Sequence, residues 1–263
     1  MYIVVLLVLM VDFEDFLRQT NKSGIATDFD GTISAITEKR AQAKIEPAAK
    51  QRLAKLADYY PLVAVISGRP VKTIADLTGL AKVFYIGNHG AEYLYDGHLY
   101  VKPEAKKFEP ILKKIYDELK NDHLQIYEFD YKTYSVAIHY RNQPDAKKAR
   151  AEIEETIKGY LQPGLKVQHG RMVYDISIEK INKGIAVSYL VDKYDLSNFF
   201  YAGDDKTDID AFKAMKKLSN QGINTISAAL LSSEAPAELA ETADIDLSSI
   251  EQLNNIFSKL LPS

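Results

Sequence analysis

The chain has 263 residues, a formal net charge of −3 and no cysteine. The length suits one large or two modest domains, and 46% hydrophobic residues is ordinary enough to allow a sizeable core. The charge gives no case for nucleic acid or an anionic membrane surface; the absence of cysteine excludes disulfides, thiolate zinc sites and cysteine nucleophiles, and fits a reducing, cytoplasmic setting.

In chain order, Met1 to Val11 is almost entirely apolar. It is too short to cross a bilayer as a helix and lacks the basic start and small-residue cleavage site of a secretory signal. It reads as an added strand or helix covering an apolar patch, in the fold or in a dimer contact, or as an extension ahead of a true start at Met10. A short helix over 13–19 follows. From residue 24 apolar strands alternate with helical stretches. Strands are predicted over 24–29, 62–67 and 83–87, with a helix from Glu46-Pro47 to Tyr59, proline being tolerated in the first turn.

The first strand ends in Asp28-Phe29-Asp30-Gly31-Thr32. Residues i and i+2 of an extended segment point the same way, so both carboxylates can face one site at a strand's carboxyl end, where open α/β sheets bind ligands. Two acids there repel each other unless a cation or a shared proton intervenes. The same pattern also serves plain turns, in which Asp bonds its own backbone. The second strand ends in Ser67-Gly68-Arg69-Pro70; the hydroxyl suits a phosphate contact, or it caps the next helix.

The middle of the chain changes character. Asp96-Gly97 is a hairpin-turn signal. A helix near 108–120 and strands near 124–129 and 134–140 follow, then a helix from Pro144 to about 160 and strands near 165–169 and 172–178. That is helix–strand–strand twice over. Alternation returns with Asn182-Lys183-Gly184 opening a helix over 183–194, a strand over 198–203, a helix over 207–216, a strand over 222–227 and a last helix over 248–261. A lysine at a helix start opposes the macrodipole, so an anion is its natural partner, unless it is simply a surface lysine. Gly203-Asp204-Asp205-Lys206-Thr207-Asp208 is a hard-oxygen cluster of the kind magnesium prefers, with Asp205 or Thr207 also fit to cap the helix. Basic pairs such as Lys106-Lys107 read as solvated helix faces, not as a basic stripe interleaved with aromatics.

Taken together, the aspartate pair with Gly-Thr, then the serine, the lysine and the final aspartate cluster, in that order, resemble the haloacid-dehalogenase-like phosphohydrolases. Ser67-Gly68-Arg69, Gly87-Asn88-His89-Gly90-Ala91-Glu92, His139-Tyr140-Arg141, Gly170 to Asp175 and Asn182-Lys183-Gly184 narrow the resemblance to the trehalose-6-phosphate phosphatases. That family tends to read Gly-Lys with a glutamate four residues on. Here the positions hold Arg171 and Asp175, which keep the charges and change the geometry.

The resemblance implies an α/β fold: a Rossmann-like parallel-sheet core with helices on both faces (1–92 and 179–263) and an inserted smaller α/β cap domain (93–178). It implies a magnesium-dependent phosphatase that converts trehalose 6-phosphate to trehalose and phosphate. Asp28 is the implied nucleophile, forming an aspartyl-phosphate, Asp30 the acid and base, and Lys183 the charge-neutralising cation. Magnesium would be held by the Asp28 carboxylate, the Asp30 backbone carbonyl and the Asp204 carboxylate, with Asp205 and Asp208 orienting ligands or waters. Gly31, Thr32, Ser67, Gly68 and Lys183 would bind the phosphoryl group. Asn88, His89, Glu92, Arg141, Arg171 and Asp175 would read the sugar. Sucrose 6-phosphate or a glycosyl-phosphoglycerate is the alternative substrate. The expected state is a monomer or weak dimer acting on a small molecule, with no nucleic-acid or membrane partner.

Overall fold

The computed structural model describes residues 13–37, 42–121, 123–170, 172–233 and 235–262. The apolar segment 1–11 and Arg171 lie outside the described residues. The chain divides into two units, Met1–Leu99 with Asn182–Ser263, and Tyr100–Ile181.

The first unit is built on an eight-stranded sheet. In chain order its strands are β1 (Ser23–Thr27), β2 (Leu62–Ile66), β3 (Phe84–Gly87), β4 (Glu92–Tyr95) and β5 (His98–Val101), then β10 (Asn198–Gly203), β11 (Asn224–Leu230) and β12 (Ile245–Leu247). They lie in the order β12-β11-β10-β1-β2-β3-β4-β5. All pairs from β12 to β3 are parallel, and β4 joins antiparallel to β3. The chain runs outward from β1 through β2 to β3, and outward the other way from β10 to β12. The order therefore reverses between β1 and β10, and the carboxyl ends of these two strands frame the crevice such sheets use for ligands.

The central strands are apolar on both sides because helices cover both faces. Residues Ile25, Val63, Val65 and Phe200 point into one core with α1 (Glu14–Arg18), α2 (Pro47–Tyr59), α3 (Val71–Thr78) and α9 (Ile250–Lys259). Their alternates Ala26, Leu62, Ala64, Phe199 and Tyr201 point into a second core with α6 (Lys183–Lys193), α7 (Lys206–Ser219) and α8 (Ala237–Thr242). The predicted α/β core with helices on both faces is thus present. The short α8 and the three-residue β12 have no counterpart in the sequence reading, because neither is long enough to show a period.

The second unit holds α4 (Pro103–Asn121), β6 (Glu128–Tyr131), β7 (Ser135–His139), α5 (Ala146–Lys158), β8 (Leu165–Gly170) and β9 (Val173–Ile178). The strands form an antiparallel sheet in the order β6-β7-β9-β8, and α4 packs on β6, β7 and β9. The expected double helix–strand–strand repeat is there, with shifted edges. The Asp96-Gly97 hairpin forms, but β4 extends the large sheet through Tyr85–Leu94 and Ile86–Tyr93 pairs, so residues 93–99 stand with the first unit. Helix α4 begins at Pro103 and carries Pro110 inside it, five residues ahead of the predicted start. The strand predicted from 124 opens instead with a 3₁₀ turn over His123–Ile126. Among the described residues, no helix is long and apolar enough to cross a membrane.

Helices α6 and α7 touch backbone to backbone at Gly184. A Cβ built there would lie 2.3 Å from the Asp210 carbonyl oxygen. Gly184→Ala should therefore push the two helices apart and cost about 1–3 kcal/mol, read as a lower midpoint in urea unfolding. An unchanged midpoint would show that the helices part freely.

Candidate active site

Asp28 lies one residue past β1, and its N–H still donates to the Ala202 carbonyl of β10 at 2.8 Å. Its side chain is buried, and Oδ1 accepts from Lys183 Nζ at 2.8 Å. Lys183 opens α6, whose N-cap Asn182 accepts from the Ile185 N–H. The same ammonium donates to Asp208 Oδ1 at 2.7 Å. Asp208 sits in the first turn of α7 and is completely buried. Its Oδ2 accepts the N–H groups of Asp204 (3.0 Å) and Asp205 (3.1 Å), and Oδ1 accepts the Tyr201 hydroxyl at 2.5 Å.

One ammonium therefore serves two buried carboxylates. Burial works against the Lys183 charge, yet Asp208 and Asp28 carry its pKa well above the ordinary lysine value. Burial also pushes the Asp28 carboxyl well up; Lys183 opposes this, while Asp208, Asp205 and Asp30 add to it. Both shifts are upward, which favours the charge on Lys183 and disfavours it on Asp28, because the charges do not balance. Lys183 is firmly an ammonium, and Asp28 is the group left short of a counter-charge.

Asp204 follows β10 and is buried. Thr32 Oγ1 donates to its Oδ1 at 3.3 Å. Gly31 adopts φ +81°, and a Cβ on it would fall 2.1 Å from Asp204 Oδ2, so only glycine admits this carboxylate. Oxygens of Asp28, Asp204 and Asp208 lie within 4.8 Å of one another. Asp208 has all four of its acceptor positions taken, which leaves it an anchor for Lys183. The hard-oxygen set that fits magnesium is Asp28, whose other oxygen has no donor among the described residues, together with Asp204. Asp205 is the N-cap of α7: its Oδ1 accepts the Thr207 N–H at 2.7 Å and hydroxyl at 2.6 Å, closing a capping box with Asp208.

The two aspartates that the spacing pointed at one site stay near enough for the Asp30 charge to add to the raised Asp28 pKa. The strand ends at Thr27, so the period-two rule no longer holds at Asp30. Both Asp30 oxygens instead accept from Arg69, from Nε at 2.7 Å and Nη2 at 2.6 Å. The buried Arg69 guanidinium also lies over the Phe29 ring, 5.5 Å from its centre. The Gly31 and Thr32 N–H groups donate within the turn, to the Ser34 and Phe29 carbonyls. They reach a phosphoryl oxygen only if those bonds open.

Ser67 follows β2 and is buried; its Oγ accepts the Arg69 N–H at 3.2 Å. It does not cap α3. That role falls to Glu92 on β4, whose Oε2 accepts the Val71 N–H at 2.9 Å and Asn88 Nδ2 at 2.8 Å. Burial raises the Glu92 pKa against these two donors. Asn88 and His89 both take positive φ, 48° and 57°, a conformation rare outside glycine. The turn sets the His89 ring over Gly68, where a Cβ would meet it at 2.5 Å. Glu92 and Asn88 thus serve the fold of this loop, while His89 is close enough to Asp205 to favour its charge.

In the second unit, Arg141 is exposed in the turn after β7. Asp175 on β9 accepts from Lys132 Nζ at 2.6 Å, with the Lys132 side chain 4% exposed. Arg69, Tyr201 and Lys132 are absent from the sequence-derived site. Arg69 lies in the Ser67-Gly68-Arg69 motif, and Tyr201 lies two residues before Gly203 on one face of a strand, so both signals are present in the sequence. Lys132 has none.

A family model described as trehalose-phosphatase matches residues 26–243. A probable trehalose-phosphate phosphatase G of Arabidopsis thaliana is 28% identical over 79% of this chain and 62% of its own length. A trehalose-phosphate phosphatase of Mycobacterium tuberculosis is 32% identical over 82% of this chain and 59% of its own. The chain thus spans about three fifths of the length of these relatives. Among solved structures, the C-terminal domain of a C. albicans trehalose-6-phosphate phosphatase superposes with a TM-score of 0.73 at 18% identity, covering 98% of this chain and 96% of that one. A trehalose-6-phosphate phosphatase related protein gives 0.69 at 19%, covering 90% and 96%. At these identities the structures speak for the fold.

Burial pushes the Asp205 carboxyl up, but Lys183, the Thr207 bonds and His89 outweigh it and bring it down to about 2. A depressed folded-state pKa stabilises above the unfolded value near 4 and is lost as pH falls through about 2. In EDTA, wild type should exceed Asp205→Asn by up to about 2 kcal/mol at pH 6, with the gap closing between pH 4 and pH 2. A gap that does not change with pH in urea titrations would contradict this.

Proposed function

The chain belongs to the trehalose-phosphatase family, and on that premise we propose that it hydrolyses trehalose 6-phosphate to trehalose and phosphate, with magnesium, through an aspartyl-phosphate on Asp28. The observation that carries the reading is the buried Asp28, short of a counter-charge, at the carboxyl end of β1 with Lys183 on one oxygen. A carboxylate attacking a phosphate dianion needs that deficit met by cations. Asp28 and Asp204 would hold magnesium by their carboxylates and Asp30 by its backbone carbonyl. When bound, the ion supplies charge neutralisation at the phosphoryl oxygens.

Asp28 attacks phosphorus as the bond to the sugar oxygen breaks, and Asp30 gives its proton to that oxygen. In the second half, Asp30 takes a proton from water as the water oxygen attacks the same phosphorus. Phosphate leaves and the Asp28 carboxylate is restored. Lys183 holds its charge against phosphoryl oxygens throughout, having two N–H groups committed to Asp28 and Asp208 and one to spare. Arg69 occupies both Asp30 oxygens, so one arm of that fork must release before Asp30 can carry a proton. Sugar selection is assigned to the second unit, where Asp175 is steered by Lys132. The shorter Asp175 in place of a glutamate keeps sucrose 6-phosphate and glycosyl-phosphoglycerates as second candidates.

Phosphate release should be fast from trehalose 6-phosphate with magnesium, and stop in EDTA. It is to be measured beside sucrose 6-phosphate, glucose 6-phosphate and p-nitrophenyl phosphate. Release from the aryl ester alone would keep the chemistry and discard the sugar. Asp28→Asn should lose all measurable turnover with the fold intact, and near-normal activity in it would end the nucleophile assignment. Asp30→Asn should slow trehalose 6-phosphate by about 10²-fold or more. It should slow the aryl ester less, because its leaving group needs no proton in the first step.

A further inference from the structure

Tyr201 stands out among the fully buried side chains. It lies in β10 beside Phe199 and Phe200, all three completely buried, and phenylalanine would fill the same space. A buried hydroxyl costs stability unless it is bonded, so its partner is informative. Among the described residues that partner is Asp208 Oδ1, at 2.5 Å. Burial and the Asp208 charge push the phenol well above its ordinary value, so the group stays a donor.

The strand places it there. Residues 201 and 203 share a face, and a Cβ on Gly203 would fall 2.2 Å from Asp208 Cγ. The Asp208 carboxylate rests in the space a side chain at 203 would occupy, directly ahead of the Tyr201 ring. The backbone N–H groups of Asp204 and Asp205 fix Oδ2. Oδ1 is shared by Tyr201 and Lys183, and Lys183 reaches on to Asp28.

We propose that Tyr201 is a positioning residue: its hydroxyl holds Asp208 Oδ1 so that the Lys183 ammonium is aimed at Asp28 and the phosphoryl group. Without the hydroxyl, Lys183 is the donor left on Oδ1 among the described residues, and the shared ammonium is drawn toward it. An ammonium drawn closer to Asp208 is turned away from Asp28 and the phosphoryl group. The loss falls on the transition state, where phosphoryl charge is spread over more oxygens, and leaves substrate binding little changed. The inference rests on the phosphatase reading above.

The test is a double-mutant cycle of Tyr201→Phe and Asp208→Asn in the full chain with magnesium, assayed on trehalose 6-phosphate and p-nitrophenyl phosphate. Y201F should lower kcat about tenfold with KM within about twofold, the size expected for one hydrogen bond to a charged group. Inhibition by orthovanadate, which mimics the five-coordinate phosphoryl group, should weaken by the same factor, and inhibition by inorganic phosphate should not. Because Tyr201 acts through Asp208, adding Y201F to D208N should change kcat little further. A wild-type protein that releases no phosphate overturns the phosphatase reading and this inference with it. An active wild type with Y201F equal to it, or with losses that multiply in the double variant, overturns the Tyr201 role alone. A Y201F chain that fails to fold does the same, since the hydroxyl would then be structural.

Discussion

One ammonium shared by two buried carboxylates is the constraint on which the site depends. Lys183 meets Asp28, 155 positions away just past β1, and Asp208 of α7, 25 positions away. Removing charge from water is expensive, and here it is tolerated because each group has a bonded neighbour. Asp208 is saturated by four donors. Lys183 has two acceptors. Among the described residues, Asp28 has no donor on its second oxygen, and burial has already raised its pKa. The shortfall falls on the group proposed to react, and the proposed magnesium would meet it.

The sheet makes that placement possible. The strand order reverses between β1 and β10, so two loops that start with aspartate leave adjacent parallel strands at the same edge. The loop after β2 lies next to them and brings Ser67 and Arg69. Close approach is needed at these loops, and small residues allow it: Asp204 fills the space beside Gly31, and Asp210 the space beside Gly184. A parallel sheet with both faces covered supplies the rigid frame, since its strands are too apolar and too tightly packed to shift.

Some residues also take a fold role that their types did not suggest. The resemblance implies Glu92 as a ligand for sugar hydroxyls; in the fold it also caps α3 from a neighbouring strand. A carboxylate is suited to both tasks, and whether it caps depends on whether an orphan helix N–H lies within reach. Asp205 shows the opposite case. The capping role and the acidic cluster were both visible, and both are realised, because a cap uses one oxygen and leaves the charge in the site.

What the sequence determined by itself is local or periodic. The apolar strands, the turn glycines, the helix starts and the order of the aspartate, serine, lysine and aspartate motifs all depend on neighbours a few residues apart. Together they were enough to specify the α/β core and the group of residues at its edge. The tertiary structure alone decided which charge meets which: Asp30 with Arg69 across 39 positions, Lys132 with Asp175 across 43, and Lys183 with Asp28 across 155. Pairing at that range follows from strand adjacency and register, which no local pattern encodes. The Asp30–Arg69 pair was hidden for the same reason: the strand stops at Thr27, the turn at Gly31 takes over, and the partner of Asp30 comes from the loop after β2.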